Sequence, residues 1–292
     1  MFFGRVITAM VTPFDEELRI DYKALEQLIE HLLATGTDTL LVAGTTGESP
    51  TLSDDEKLEL FKATKAIVGT RAKIMAGTGS NSTLHSVELS KKAEKVGVDG
   101  LLLVSPYYNK PTQEGLYQHF KLIAHAVDIP VVPYNVPGRT AVTIEPETLA
   151  RLSRIKNVVA VKDAGGDLDK TSKTRVLAPE LAVYSGDDSL TLPMLALGAK
   201  GVISVASHIV GSEIQEMITS FEKGHTKKSE QIHLKLINIF KALFVTTNPI
   251  PVKAALNLIG IPVGGLRPPL GLADDNTMAA LEKTLRELGK IA

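Results

Sequence analysis

Apolar and polar positions along this chain follow two alternating patterns. Short, largely apolar runs recur from one end to the other: Val6–Val11, Thr39–Ala43, Lys73–Ala76, Gly100–Val104, Pro130–Pro133, Val158–Val161, Leu181–Tyr184 and Gly201–Val205. Runs this short, bounded by turn residues, fit strands buried on both faces, as in a parallel sheet. Between them lie segments of helical period, among them Tyr22–Leu33, Asp54–Val68, Thr83–Val96, Gln113–Val127 and Glu147–Ser153. Asp21 and Ser53 stand where N-caps are needed, and Ser53-Asp54-Asp55-Glu56 has capping-box spacing. Gly36, Gly69, Gly97 and Gly198 fall near helix ends, where a left-handed residue is wanted. Eight strand–helix units in one chain predict a closed parallel β/α barrel of the TIM (β/α)8 type rather than an open doubly wound sheet. After the eighth strand, Glu213–Glu222, Ser229–Val245, Pro251–Leu258 and Asp275–Leu288 read as helices. The first completes the barrel, residues 1–224, and the others form a C-terminal helical extension, residues 225–292.

In such barrels chemistry gathers where strands end and βα loops begin. Val158-Val159-Ala160-Val161 runs straight into Lys162, and the chain then turns at Gly165-Gly166. A lysine at the end of a buried strand is poorly solvated, which disfavours its ammonium and frees a neutral amine for Schiff-base chemistry with a carbonyl. The plainer alternative is a lysine that snorkels to solvent at a strand end. Tyr134 ends the neighbouring strand, and adjacent parallel strands lie roughly 4.8 Å apart, so phenol and amine can converge. Gly44-Thr45-Thr46-Gly47 sets hydroxyls and backbone N–H groups on a tight turn that suits a carboxylate, or is a polar turn without a ligand. Arg139 follows Pro137-Gly138 in a loop over the barrel mouth, where a guanidinium suits a second carboxylate or is simply solvated.

Composition narrows the field. The 292 residues are 44% apolar and 22% charged, ordinary for a globular chain, and the net charge of −1 shows no basic patch for nucleic acid. The absence of cysteine removes disulfides, thiol nucleophiles and thiolate metal sites, and fits a reducing cytoplasm. Met1-Phe2-Phe3-Gly4-Arg5 does not read as a secretory leader, and no apolar run approaches the ~20 residues of a membrane span. Asp187 and Asp188 after strand seven would repel a phosphate, and no histidine pair joins them at metal-ligand spacing. His208 is expected to be structural. No metal is expected.

Gly44-Thr45-Thr46-Gly47-Glu48-Ser49, Ser105-Pro106-Tyr107-Tyr108-Asn109, Pro133-Tyr134-Asn135-Val136-Pro137-Gly138-Arg139-Thr140 and Val161-Lys162-Asp163 together resemble the dihydrodipicolinate synthase family over essentially the whole chain. The Gly-Thr-Thr-Gly-Glu turn and the strand-six lysine are also shared with N-acetylneuraminate lyases and 2-keto-3-deoxy sugar acid aldolases, the alternative reading. The Tyr-Asn-x-Pro-Gly-Arg-Thr loop separates the two. The resemblance implies that Lys162 forms a Schiff base with pyruvate and that its enamine attacks (S)-aspartate-β-semialdehyde, in lysine and diaminopimelate synthesis, with no organic cofactor because the lysine supplies the electron sink. It implies a proton relay of Tyr134, Thr45 and Tyr108, with Tyr108 reaching into a neighbouring subunit of a homotetramer built as a dimer of dimers. It further implies that Thr46 helps hold the pyruvate carboxylate, that Arg139 holds the semialdehyde, and that Gly186 and Ile203 line the pocket with backbone groups. Ser49, Pro50, Asp54, Lys57, Asn81, His85 and Tyr107 are the candidate positions at the cleft where some members bind inhibitory lysine, and of these Ser49, Asn81 and Tyr107 match the sensitive pattern. Asp54, Lys57 and His85 depart from it, so weak or absent lysine inhibition is expected.

Overall fold

Two hydrophobic layers, one inside a ring of strands and one outside it, account for the apolar runs of the sequence. The computed structural model describes residues 3–292; Met1 and Phe2, which begin the segment expected not to be a leader, lie outside them. Eight parallel strands, β1 (Val6–Ala9), β2 (Thr39–Val42), β3 (Lys73–Gly77), β4 (Gly100–Val104), β5 (Val131–Asn135), β6 (Ala160–Asp163), β7 (Ala182–Ser185) and β8 (Gly201–Ser204), close in chain order into a barrel. Successive side chains of a strand point to opposite faces. Ile7, Ala9, Leu41, Met75, Leu102, Val132, Tyr134, Tyr184 and Ile203 fill the interior. Val6, Leu40, Val42, Ile74, Leu101, Leu103, Val161 and Val202 face outward against the helices. A strand with both faces covered has no polar alternation, which is why each run reads as uniformly apolar.

The helix signals act as expected. Asp21 caps Tyr22–Ala34, and Ser53 and Glu56 form a reciprocal capping box at the start of Asp54–Val68. Gly97 closes Thr83–Val96 in the left-handed region. Residues Pro137–Thr140, expected as loop, form one helical turn with proline at its start, where the ring's fixed φ is suited to a helix. Strands β5 and β6 are displaced from the expected runs. Val158 makes only an isolated bridge with Val131, while pairing continues past Val161 to Asp163 and past Pro133 to Asn135. Lys162 and Tyr134 therefore sit inside their strands rather than beyond them, and they are direct register partners.

Helices Thr226–Ala242, Ile250–Leu258 and Asp275–Glu287 follow the barrel helix Ser207–Glu222. Leu236, Ile239, Val252, Leu256, Leu281 and Leu285 join the same outer core as the barrel strands, so residues 225–292 pack continuously onto the barrel. Among the described residues no helix is long and apolar enough to cross a membrane.

Barrel closure depends on β8 lying close against the chain entering β1. Gly201 has φ of 156°, and a Cβ there would stand 2.0 Å from the Arg5 carbonyl oxygen. Because the obstacle is backbone, it cannot swing aside. Gly201→Ala is expected to cost more than ~3 kcal/mol, or to abolish folding, in chemical denaturation. A midpoint indistinguishable from that of the parent chain would contradict this account of closure.

Candidate active site

Lys162 is the third residue of β6 and is 5% exposed. Its Nζ lies 4.2 Å from the centre of the Tyr134 ring, so the amine stands over the face of the phenol ring. Burial pulls the lysine down to about 8, and the Arg139 charge pushes the same way, against the opposing pull of Asp188 and Asp187. A fall from the ordinary lysine value to about 8 multiplies the neutral amine at pH 7 on the order of a few hundredfold. The reading of Lys162 as a desolvated amine, rather than one that snorkels out, fits this geometry. Burial pushes the Tyr134 phenol up to about 12, so it holds its proton and can donate it.

A small pocket of about 40 Å³ opens beside this pair, lined by Lys162, Tyr134, Thr45, Thr46, Arg139, Gly186, Val205, Phe244 and Asn248, among others. Gly186 is required where it stands. A Cβ there would come within 2.7 Å of the Ala164 Cβ and 3.1 Å of the Lys162 Cε, and the lysine stem would have to move. Thr46 is buried, and its Oγ1 accepts a hydrogen bond from Asn248 Nδ2 at 3.0 Å. Arg139 is exposed, and its Nη2 lies 3.4 Å from the Asn248 carbonyl.

Six of the eight expected site residues thus line one pocket. Ile203 is buried in the barrel interior, and Val205, two residues later, lines the pocket at that wall. Tyr108 is 91% exposed, with φ of 73°, on the loop after β4, and it lines neither this pocket nor the larger cleft beside it. Asn248 and Phe244 were not expected. They precede helix Ile250–Leu258, and the Asn-Pro-Ile-Pro sequence marks a turn there without saying where the turn packs. The Asn248 Oδ1 is buried without a hydrogen-bond partner inside the chain.

The larger cleft, about 500 Å³, adjoins the pocket through Thr45, Tyr134 and Arg139. It brings together all seven positions considered for lysine binding: Ser49, Pro50, Asp54, Lys57, Asn81, His85 and Tyr107. His85 Nε2 bonds the Asp54 carboxylate at 2.9 Å, and Lys57 Nζ lies 3.9 Å from it. His208, the strand-end histidine, is fully buried. Its Nε2 accepts from the Val11 N–H at 3.2 Å, which leaves Nδ1 to donate to the Val205 carbonyl at 2.8 Å. Burial brings it down to about 4, so it is neutral and structural, as expected.

The sequence profile of the Dihydrodipicolinate synthetase family matches residues 2–288. The chain belongs to this family. It is 54% identical over 290 residues to the 4-hydroxy-tetrahydrodipicolinate synthase of Heliobacterium modesticaldum, covering 99% of this chain and 97% of that one. It is 56% identical over 288 residues to the enzyme of that name from Cyanothece sp., covering 98% of each. The crystal structure of the family member from Cyanidioschyzon merolae, with lysine bound, superposes with a TM-score of 0.97 at 47% identity, covering 99% of each chain. Family and barrel thus agree with the expectation from the motifs.

Imine formation needs the neutral lysine, so its rate with pyruvate alone is expected to rise with pH through a midpoint near 8. Arg139→Ala removes a positive neighbour that favours the neutral form, so its midpoint is expected to move upward. Stopped-flow or quenched borohydride trapping across pH reads both. A midpoint in the variant at or below that of the parent would contradict the electrostatic reading.

Proposed function

We propose that Lys162 is the Schiff-base nucleophile of a synthase that condenses pyruvate with (S)-aspartate-β-semialdehyde to 4-hydroxy-tetrahydrodipicolinate. The observation that carries this reading is the buried Lys162 amine over Tyr134, in a pocket shared with the Thr45–Thr46 turn and Arg139. The neutral amine adds to the pyruvate C2 carbonyl. The carbinolamine oxygen takes up a proton and leaves as water, giving the protonated imine. Loss of a C3 proton yields the enamine, whose C3 attacks the aldehyde carbon of the semialdehyde. The aldehyde oxygen is protonated to the C4 hydroxyl, and the substrate's own amine then displaces Lys162 as the ring closes. The lysine is the electron sink throughout.

Tyr134 supplies and recovers protons at the carbinolamine, working with Thr45 on the facing turn. Thr46 and the adjacent backbone N–H groups receive the pyruvate carboxylate. Gly186 leaves room against the lysine stem, and Ile203 contributes backbone at the pocket floor. Arg139, at the mouth where the pocket meets the large cleft, holds the carboxylate of the semialdehyde. Tyr108 completes the relay in a neighbouring copy of the chain. Its exposed phenol, held on a left-handed loop residue away from its own pocket, supports a homotetramer of two tight dimers as the working form.

A coupled assay with both substrates tests the reading. Arg139→Ala is expected to lose about thirtyfold to a hundredfold in kcat/KM for the semialdehyde, the worth of a charge-assisted hydrogen bond. Trapping of pyruvate by a parent chain that does not turn over the semialdehyde would instead favour a sugar-acid aldolase.

The large cleft supports weak lysine inhibition. Asp54 is the acid there that a ligand ammonium would seek, and His85 and Lys57 already engage it. Lys57 also adds a like charge beside the incoming ammonium. Steady-state rates are expected to stay near the uninhibited value at about 0.1 mM lysine, because a ligand bound by only about 4 kcal/mol half-fills its site at about 1 mM. Half-inhibition well below that concentration would overturn the proposal.

A further inference from the structure

Glu48 follows the Gly44–Gly47 turn and touches nothing that reacts, yet it is one of the most deeply buried charges in the chain at 2% exposed. Its backbone is left-handed, with φ of 55°, and both carboxylate oxygens are engaged. One accepts from Lys253 Nζ at 2.8 Å, and the other accepts the Arg267 backbone N–H at 2.9 Å. Lys253, equally buried, also donates to the Thr12 carbonyl at 2.9 Å. The Thr12 hydroxyl returns to the turn, donating to the Gly47 carbonyl at 2.7 Å. Phe14 lies beneath, its ring centre 4.3 Å from the Lys253 ammonium and 4.6 Å from the Arg267 guanidinium.

Lys253 belongs to helix Ile250–Leu258, and Asn248, just before that helix, donates to Thr46. One C-terminal segment, the helix and the turn before it, therefore holds the turn after β2 at two points, through Thr46 and through Glu48. A buried ion pair adds little net stability compared with a well-packed apolar pair, because desolvation offsets the attraction. Its hydrogen bonds are nevertheless directional, and here every one of them ends on the turn or on the strand-one exit beside it.

We infer that Glu48 and Lys253 are positioning residues: a buried clamp from the C-terminal region sets the height and angle of the Thr45–Thr46 turn. Pyruvate affinity then depends on a pair that never contacts substrate. The inference rests on the reading that this turn receives the pyruvate carboxylate.

The test compares Glu48→Gln, Lys253→Met, the double variant and Thr46→Val as intact proteins. Melting temperature and the KM of each substrate are measured. Each single clamp variant leaves one buried group unpaired and is expected to melt lower. The double variant removes both charges and is expected to melt near the parent. Its KM for pyruvate should still rise about tenfold, with the KM for the semialdehyde changed less than about twofold. A double variant with both parental melting and parental pyruvate KM would show that the pair positions nothing and would overturn the inference. Thr46→Val separates the two claims. If it leaves the pyruvate KM unchanged, the carboxylate reading fails, and the inference with it. If it raises that KM while the folded double variant does not, the clamp alone fails. Should the double variant not fold, Lys253→Arg decides, since it keeps the charge but displaces the donor. A several-fold rise in pyruvate KM at parental melting is expected, and an unchanged KM overturns the clamp.

Discussion

The desolvation of one lysine amine inside a closed strand ring governs the site. Lys162 lies within β6, so the barrel that gives the chain its core also strips water from the amine proposed as nucleophile. The folded chain holds this proton less tightly than the unfolded chain, since burial pulls Lys162 down to about 8. Its burial thus costs stability below that pH, and the cost fades as pH rises from about 8 toward the ordinary lysine value. Surrounding groups grade the effect. Asp188, fixed by Ser204 and by the Val205 and Ala206 N–H groups, pulls toward the charged form, and Arg139 pulls away from it. A side chain at Gly186 would meet Ala164 first and then the lysine stem.

The C-terminal helices follow the barrel in the chain but belong to the site in space. Asn248 and Phe244 line the pocket, and Lys253 and Arg267 reach the Glu48 turn. A boundary at residue 224 marks the end of the repeating strand–helix pattern without separating two independently packed bodies. The outer core runs through both segments, and the turn after β2 is tied to a helix more than two hundred residues later.

The sequence carried the barrel because its signals are local. Period, caps and turn glycines each act within about ten residues. The pairing of Tyr134 with Lys162 was legible for the same reason: adjacent strands in a parallel barrel place strand-end residues side by side. Strand ends were less legible. Val158 is apolar yet lies before the ladder, while Lys162 and Asp163 are charged yet lie within it, because pairing depends on the neighbouring strand and not on hydropathy. Pro137-Gly138-Arg139-Thr140 looked like loop, since proline and glycine are ambiguous in so short a helix. Asn248 and Lys253 were illegible as site neighbours, because nothing in their own segment records which turn they pack against. For Tyr108 the sequence motif points into a site, whereas the single chain leaves its side chain in solvent.

The most direct test of the central claim is borohydride reduction in the presence of pyruvate, followed by peptide mapping by mass spectrometry. The account predicts one covalent pyruvate adduct per chain, located on Lys162 alone and absent from Lys162→Ala. No adduct, or an adduct on another lysine, would contradict it.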